Sequence, residues 1–209
     1  DAANSVIWRQ CVYNGTLYVA THHWGIYNFL MGQDPEPRGG FHIWATTDGG
    51  VEVDPEALWR SVVSAGAQAL AAAGRPSLDA IGLANQGETV LAWDPDSGRP
   101  LSPAIVWQDR RAEALCATLE QHRELLAQRT GLVLDPYFSA PKMAWLRRHV
   151  ETAGVVTTSD VWLLHQLTGQ FVTDAATASR SLLVELGDSG WSDSLLGIFG
   201  LSGERLPAI

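Results

Sequence analysis

The sequence predicts an α/β domain, a mixed sheet flanked by helices. Two observations carry that prediction. Short β-rich apolar runs alternate along the chain with longer stretches whose apolar residues recur at helical spacing. Apolar residues make up 46% of the 209 positions, enough for a buried core and an argument against disorder. Parallel pairing is expected for those strands that helices separate.

Residues 5–22 alternate in β-rich types around Asn14-Gly15, a strong hairpin signal because a type I′ turn needs positive φ at both central positions. The apolar character continues over 22–32, and 33–40 (QDPEPRGG) reads as a turn or exposed loop. Asp54 is a good N-cap and Pro55 suits the first helical position. Leu58, Val62, Ala65 and Ala69 then recur at helical spacing until Gly74 and Pro76. SLDAIGLAN (77–85) reads as a buried strand, TVLAWD (89–94) as a second and AIVW (104–107) as the next, with a turn at 95–100.

A helix is expected from Asp109 or a near neighbour through Leu115, Cys116 and Leu119. Another runs from Glu124 to Thr130 and stops at Gly131. The loop 135–141 leads into a helix bearing Met143, Trp145 and Leu146. A short capped helix covers 159–169 and ends at Gly169. A last one follows Trp191 and ends at Gly200.

The formal charge of −9, without a basic block, argues against nucleic-acid binding, which draws most of its affinity from neutralising phosphates. No apolar run is long enough to span a bilayer and no export signal opens the chain, so a cytoplasmic location is expected. Thirteen Arg against the lone Lys142 read as codon bias. Cys11 and Cys116 lie far apart without a CxxC pattern and read as reduced thiols. His22 and His23 are adjacent in a predicted strand and point to opposite faces, so no metal site is expected there. GxGxxG and GxSxG are absent, which removes support for dinucleotide and α/β-hydrolase chemistry.

Two segments carry the functional signal. NQGET (85–89) sets Glu88 at the mouth of an apolar strand, and PAIVWQDRR (103–111) ends an apolar run with Trp107, Asp109, Arg110 and Arg111. A carboxylate accepts hydroxyl hydrogen bonds and an indole lines a carbon backbone, so the pair suits a small polyhydroxylated ligand. Plainer readings stand beside this one. On the residues alone Glu88 reads sooner as a solvated strand end, Trp107 as core and Asp109 as an N-cap, and Tyr137 also reads as a loop anchor beside Pro136.

From residue 41 onward the sequence resembles the N-terminal domain of the FGGY carbohydrate kinases, and within them the glycerol kinase branch. The resemblance rests on five ordered segments: VEVDPEALW (51–59), AIGLANQGETVLAWDPDSGRPLSPAIVWQDRRA (80–112), GLVLDPYFSAPKMAWL (131–146), SDVWLLHQLTG (159–169) and TDAATASRSLL (173–183). It implies a ribonuclease H-like, actin-like ATPase fold and transfer of the γ-phosphoryl of Mg-ATP to a substrate hydroxyl. It puts Glu88, Trp107 and Tyr137 at a polyol or sugar, with ATP and Mg2+ as the cofactors of the full-length enzyme.

Three departures from the family pattern matter. Glycerol kinases carry Arg where this chain has Gly87, which leaves space beside Glu88 and suggests a longer polyol or sugar as substrate. No DxGTT-like string occurs in residues 1–40, which read as an atypical N-terminal segment before a domain at 41–209. The segment is open to two readings, a hairpin in the place of the family's first strands or a divergent start. The chain ends at LPAI, so the general base and the nucleotide domain are expected beyond residue 209, and this polypeptide alone is expected to be inactive. The expected assembly is a homo-oligomer or an association with a C-terminal domain. The alternative is a non-catalytic, kinase-like carbohydrate-binding module.

Overall fold

The computed structural model describes residues 4–13, 16–23, 41–46, 49–150 and 153–209, which fall in two compact units, Asp1–Gly50 and Val51–Ile209. In the first unit β1 (Asn4–Tyr13), β2 (Thr16–His23) and β3 (Phe41–Thr46) form an antiparallel sheet in that order. Tyr13 lies opposite Thr16, so two residues link β1 to β2. Shifts of register between Asn4 and Val6 and between Ile7 and Arg9 interrupt the ladder. The Asn14-Gly15 turn, the stretch 24–32 and the loop 33–40 lie outside the described residues.

The second unit holds the strands β4 (Glu52–Val53), β5 (Val90–Trp93), β6 (Ala104–Ile105) and β7 (Val155–Thr158), in the sheet order β4-β6-β5-β7. Its helices are α1 (Pro55–Ala72), α2 (Glu113–Thr118), α3 (Arg123–Thr130), α4 (Ser139–His149), α5 (Ser159–Thr168), α6 (Ala175–Ser179) and α7 (Asp193–Phe199). The period of two along each strand divides the core. Val90, Ala92, Ile105 and Val156 face a cluster built from α2, α3, α4 and α7. Leu91, Trp93, Ala104 and Val155 face the other way, onto Val161, Trp162 and Leu163 of α5 and the partly buried Leu58, Trp59 and Val62 of α1. With helices on both faces, β5 is buried along its whole length.

Local chemistry sets the helix limits. Asp54 Oδ1 accepts the Glu56 N–H and Pro55 opens α1. Gly131, Gly169 and Gly200 take left-handed φ values of 71°, 71° and 72° directly after α3, α5 and α7, where a side chain would strain the backbone.

The structure corrects four expectations. Residues 77–85 form no strand, and Leu78 and Ile81 are 52% and 70% exposed. An apolar run becomes a buried strand only where a neighbour takes up its backbone hydrogen bonds, and no described strand pairs with this one. The expected parallel pairing is also missing: every ladder between described strands is antiparallel, and the isolated Val172↔Ala208 bridge is the parallel exception. Asp109 does not cap a helix, because α2 starts at Glu113 with Ala112 in the cap position. In α5 the cap position falls on Thr158, whose side chain makes no capping bond.

Candidate functional site

The turn before β5 presents Glu88. Thr89 N–H closes it on the Gln86 carbonyl at 3.0 Å, and Thr89 Oγ1 donates to Gln86 Oε1 at 2.9 Å. Ser159, at the start of α5, clamps it on both sides: its N–H donates to Thr89 O at 2.8 Å and its Oγ accepts from Asn85 Nδ2 at 2.9 Å. Glu88 is thereby held at the start of an interior strand and is 8% exposed.

Its partner comes from far along the chain. Arg180 Nε donates to Glu88 Oε1 at 2.9 Å. Arg180 follows α6, a five-residue helix capped by Asp174, whose carboxylate takes the Thr177 N–H and hydroxyl at 2.9 and 2.7 Å. The guanidinium lies 5.7 Å from the Tyr137 ring centre and 5.2 Å from that of Phe138, within cation–π range. Burial works against the Arg180 charge, but its hydrogen bond to Glu88 and the nearby Tyr137 outweigh that effect and raise its pKa.

Tyr137 in turn meets Trp107 edge-on, with centroids 5.6 Å apart and planes at 70°. Its loop is braced by charge at both backbone groups. Asp135 Oδ1 accepts the Tyr137 N–H at 2.8 Å and is itself held by Arg110 Nη1 at 3.3 Å. Lys142, 1% exposed, donates from Nζ to the carbonyls of Pro136 at 2.9 Å, Phe138 at 2.7 Å and Tyr137. Three carbonyls match the three N–H bonds of an ammonium. Burial pushes the Lys142 pKa down to about 7, while Glu88, Asp109 and Asp135 pull it the other way.

Trp107 follows β6. Asp109, two residues later, fastens this end of the strand: its Oδ2 accepts the Val51 N–H at 2.7 Å and Arg111 Nη2 at 2.7 Å, and Arg111 Nη1 reaches Glu52 at 2.7 Å. Asp109, Arg110 and Arg111 therefore brace the walls of the site.

Of the residues singled out from sequence, Glu88 and Tyr137 are linked through Arg180, and Trp107 joins them through Tyr137. Gly87 borders them. A Cβ built there meets nothing nearer than Thr177 Cγ2 at 3.8 Å, an ordinary contact. Sequence reasoning missed Arg180 and Lys142. A lone lysine among thirteen arginines was the available sign for the latter. Arg180, 92 residues from Glu88, carried no local sign beyond its place in the TDAATASRSLL segment.

An acceptor, a donor, an indole and a phenol are thus gathered beside the start of an interior strand of an α/β domain. Comparison with known proteins makes the class specific. The chain belongs to the FGGY family of carbohydrate kinases, whose N-terminal domain model matches residues 39–209. It is 45% identical over 175 residues to a glycerol kinase of Allorhizobium ampelinum, covering 77% of this chain and 35% of that protein. It is 46% identical over 177 residues to one of Brucella ovis, covering 78% and 36%. The chain thus spans about a third of the length of these curated relatives.

Among solved structures, the Plasmodium falciparum glycerol kinase with ADP matches with a TM-score of 0.68 at 25% identity, over 93% of this chain and 41% of that one. A ligand-bound xylulose kinase from Lactobacillus acidophilus matches with a TM-score of 0.68 at 19% identity, over 96% and 41%. The fold is the actin-like ATPase fold of these sugar kinases. Among the described residues no helix is long and apolar enough to cross a membrane.

Proposed function

We propose that this chain is the substrate-binding part of an ATP-dependent, glycerol kinase-like carbohydrate or polyol kinase, and that the complete protein moves the γ-phosphoryl of Mg-ATP to a substrate hydroxyl. The observation that carries the reading is a run of contacts across separate segments, Glu88 to Arg180, Arg180 to Tyr137 and Tyr137 to Trp107. In it Glu88 accepts substrate hydroxyls, Trp107 and Tyr137 flank the carbon chain, and the Tyr137 phenol adds a hydrogen bond. Gly87 leaves room beside Glu88, which favours a polyol or ketose longer than glycerol.

Such phosphoryl transfer rests on positioning and charge neutralisation, with a carboxylate to receive the hydroxyl proton. Among the described residues no group of three or more His, Cys, Asp or Glu is arranged to hold a metal ion. In this reading the Mg2+ ligands, the general base and the ATP site belong to a C-terminal domain with which this one associates. A cytoplasmic location goes with a sugar kinase of this kind.

The experiment is a titration of the 209-residue chain with glycerol, erythritol, xylitol and D-xylulose, read by tryptophan fluorescence. Saturable binding that Glu88→Gln removes supports the reading. A folded chain that binds none of these ligands overturns it.

A further inference from the structure

Arginines in this protein grip carboxylates in two ways. Arg129 holds Glu185 through Nε and Nη2, and Arg147 holds Glu204 through the same two nitrogens. Arg180 reaches Glu88 through Nε alone. A guanidinium carries five N–H bonds, so this single contact leaves donors over. Glu88 accepts no second hydrogen bond among the described residues, so its other oxygen remains an acceptor. The two side chains differ in access, the Arg180 side chain being 44% exposed and that of Glu88 10%. The rings of Tyr137 and Phe138 lie within cation–π range of the guanidinium and limit its movement.

We propose that Arg180 is a specificity-determining residue, reading with Glu88 a neutral pair of adjacent hydroxyls on the substrate. This rests on the function proposed above and goes further by naming the reader and the charge of what is read. A hydroxyl both donates and accepts, so neighbouring hydroxyls match a donor set beside an acceptor. The Arg180–Glu88 pair sums to no net charge and offers an anion no surplus attraction. A sugar acid's carboxylate in this place meets Glu88 as well as Arg180, and repulsion from Glu88 cancels what the guanidinium offers, whereas a neutral diol uses both partners. The open space at Gly87 adjoins Glu88, so chain length and charge are read in one place.

The test titrates the 209-residue chain with xylitol and with xylonate, an acid of the same length, and follows thermal melting in parallel. Wild type is expected to bind xylitol about tenfold or more tighter than xylonate, and Arg180→Met to weaken xylitol by about tenfold, the worth of a charged hydrogen bond. Arg180→Lys keeps the charge and removes the planar fork; it is expected to melt near wild type without recovering xylitol affinity. Recovery of full affinity in Arg180→Lys overturns the proposal, since charge alone then suffices. If Glu88→Gln abolishes binding while Arg180→Met and Arg180→Lys leave it unchanged, this inference falls and the function stands. If wild type binds no polyol at all, both fall together.

Discussion

Lys142 holds Tyr137 from beneath: its ammonium donates to the Tyr137 carbonyl and to the carbonyls on either side, while Asp135 takes the Tyr137 N–H from the other end. The ring facing Trp107 is therefore set by a buried lysine. Removing its amino group leaves three carbonyls to find new donors. Each orphaned buried group costs about 1–3 kcal/mol, and partial rescue by water lowers the sum. Lys142→Met is expected to lose about 2–4 kcal/mol of stability in urea denaturation and to lose polyol binding as well. Unchanged stability would show that the loop holds its shape without the ammonium.

The same lysine makes stability depend on pH, with a definite sign. Its folded pKa is about 7 against an ordinary 10.5. Between those values the unfolded chain binds the extra proton, so stability rises with pH across that window and is flat below it. Cys116 acts in the opposite direction. Burial lifts its thiol from 9.0 to about 11, so the folded state keeps a proton that the unfolded state has lost, and stability falls across that span. Urea melts taken at intervals from pH 6.5 to 10.5 should rise to about pH 9, the unfolded thiol value, and then level off. Lys142→Met should remove the rise, and Cys116→Ala should expose a rise that continues past it. A flat wild-type profile would mean that the Lys142 charge is not destabilised by its burial.

The aromatic wall gives a graded test of the site. Tyr137→Phe deletes the hydroxyl and keeps the edge contact with Trp107, so affinity for a bound polyol should fall about five- to tenfold, the worth of one hydrogen bond. Tyr137→Ala also removes the ring contact, worth about 0.5–1.5 kcal/mol, and should bind distinctly more weakly than Tyr137→Phe. Equal affinities for the two variants would place the ring away from the ligand.

What could be read in the sequence was local. The Asp54-Pro55 start of α1 and the stop glycines 131, 169 and 200 act within a turn of their own position, and the structure keeps them. The interior strand was legible because Val90 to Trp93 is apolar without a break. Residues 77–85 misled for a related reason: their composition suits a strand, but strand formation depends on a partner that composition does not reveal. β7 passed unnoticed because Val155–Thr158 is short and mixes two valines with two threonines. At the site, Glu88 and Trp107 stand out in two short segments and Tyr137 follows from the family resemblance, whereas Arg180 links Tyr137 and Glu88 through contacts spanning 43 and 92 residues. No local window contains that information.

Gly87 offers the sharpest test of substrate length. The position takes no left-handed backbone that would demand glycine, and a Cβ there finds ordinary contact with Thr177 Cγ2 at 3.8 Å. Gly87→Arg should therefore fold, with a stability change of less than about 1 kcal/mol. Its guanidinium would occupy space beside Glu88 and add a second cation next to a carboxylate that already has one. Longer polyols lose room, while a three-carbon ligand keeps Glu88, Tyr137 and Trp107 and gains a donor. In the complete enzyme the ratio of kcat/KM for glycerol over xylitol should rise by about tenfold, the yield of one charged hydrogen bond and some steric exclusion. The wild-type enzyme should favour four- and five-carbon polyols over glycerol. If it already turns over glycerol as well as the longer polyols, the space beside Glu88 does not set chain length.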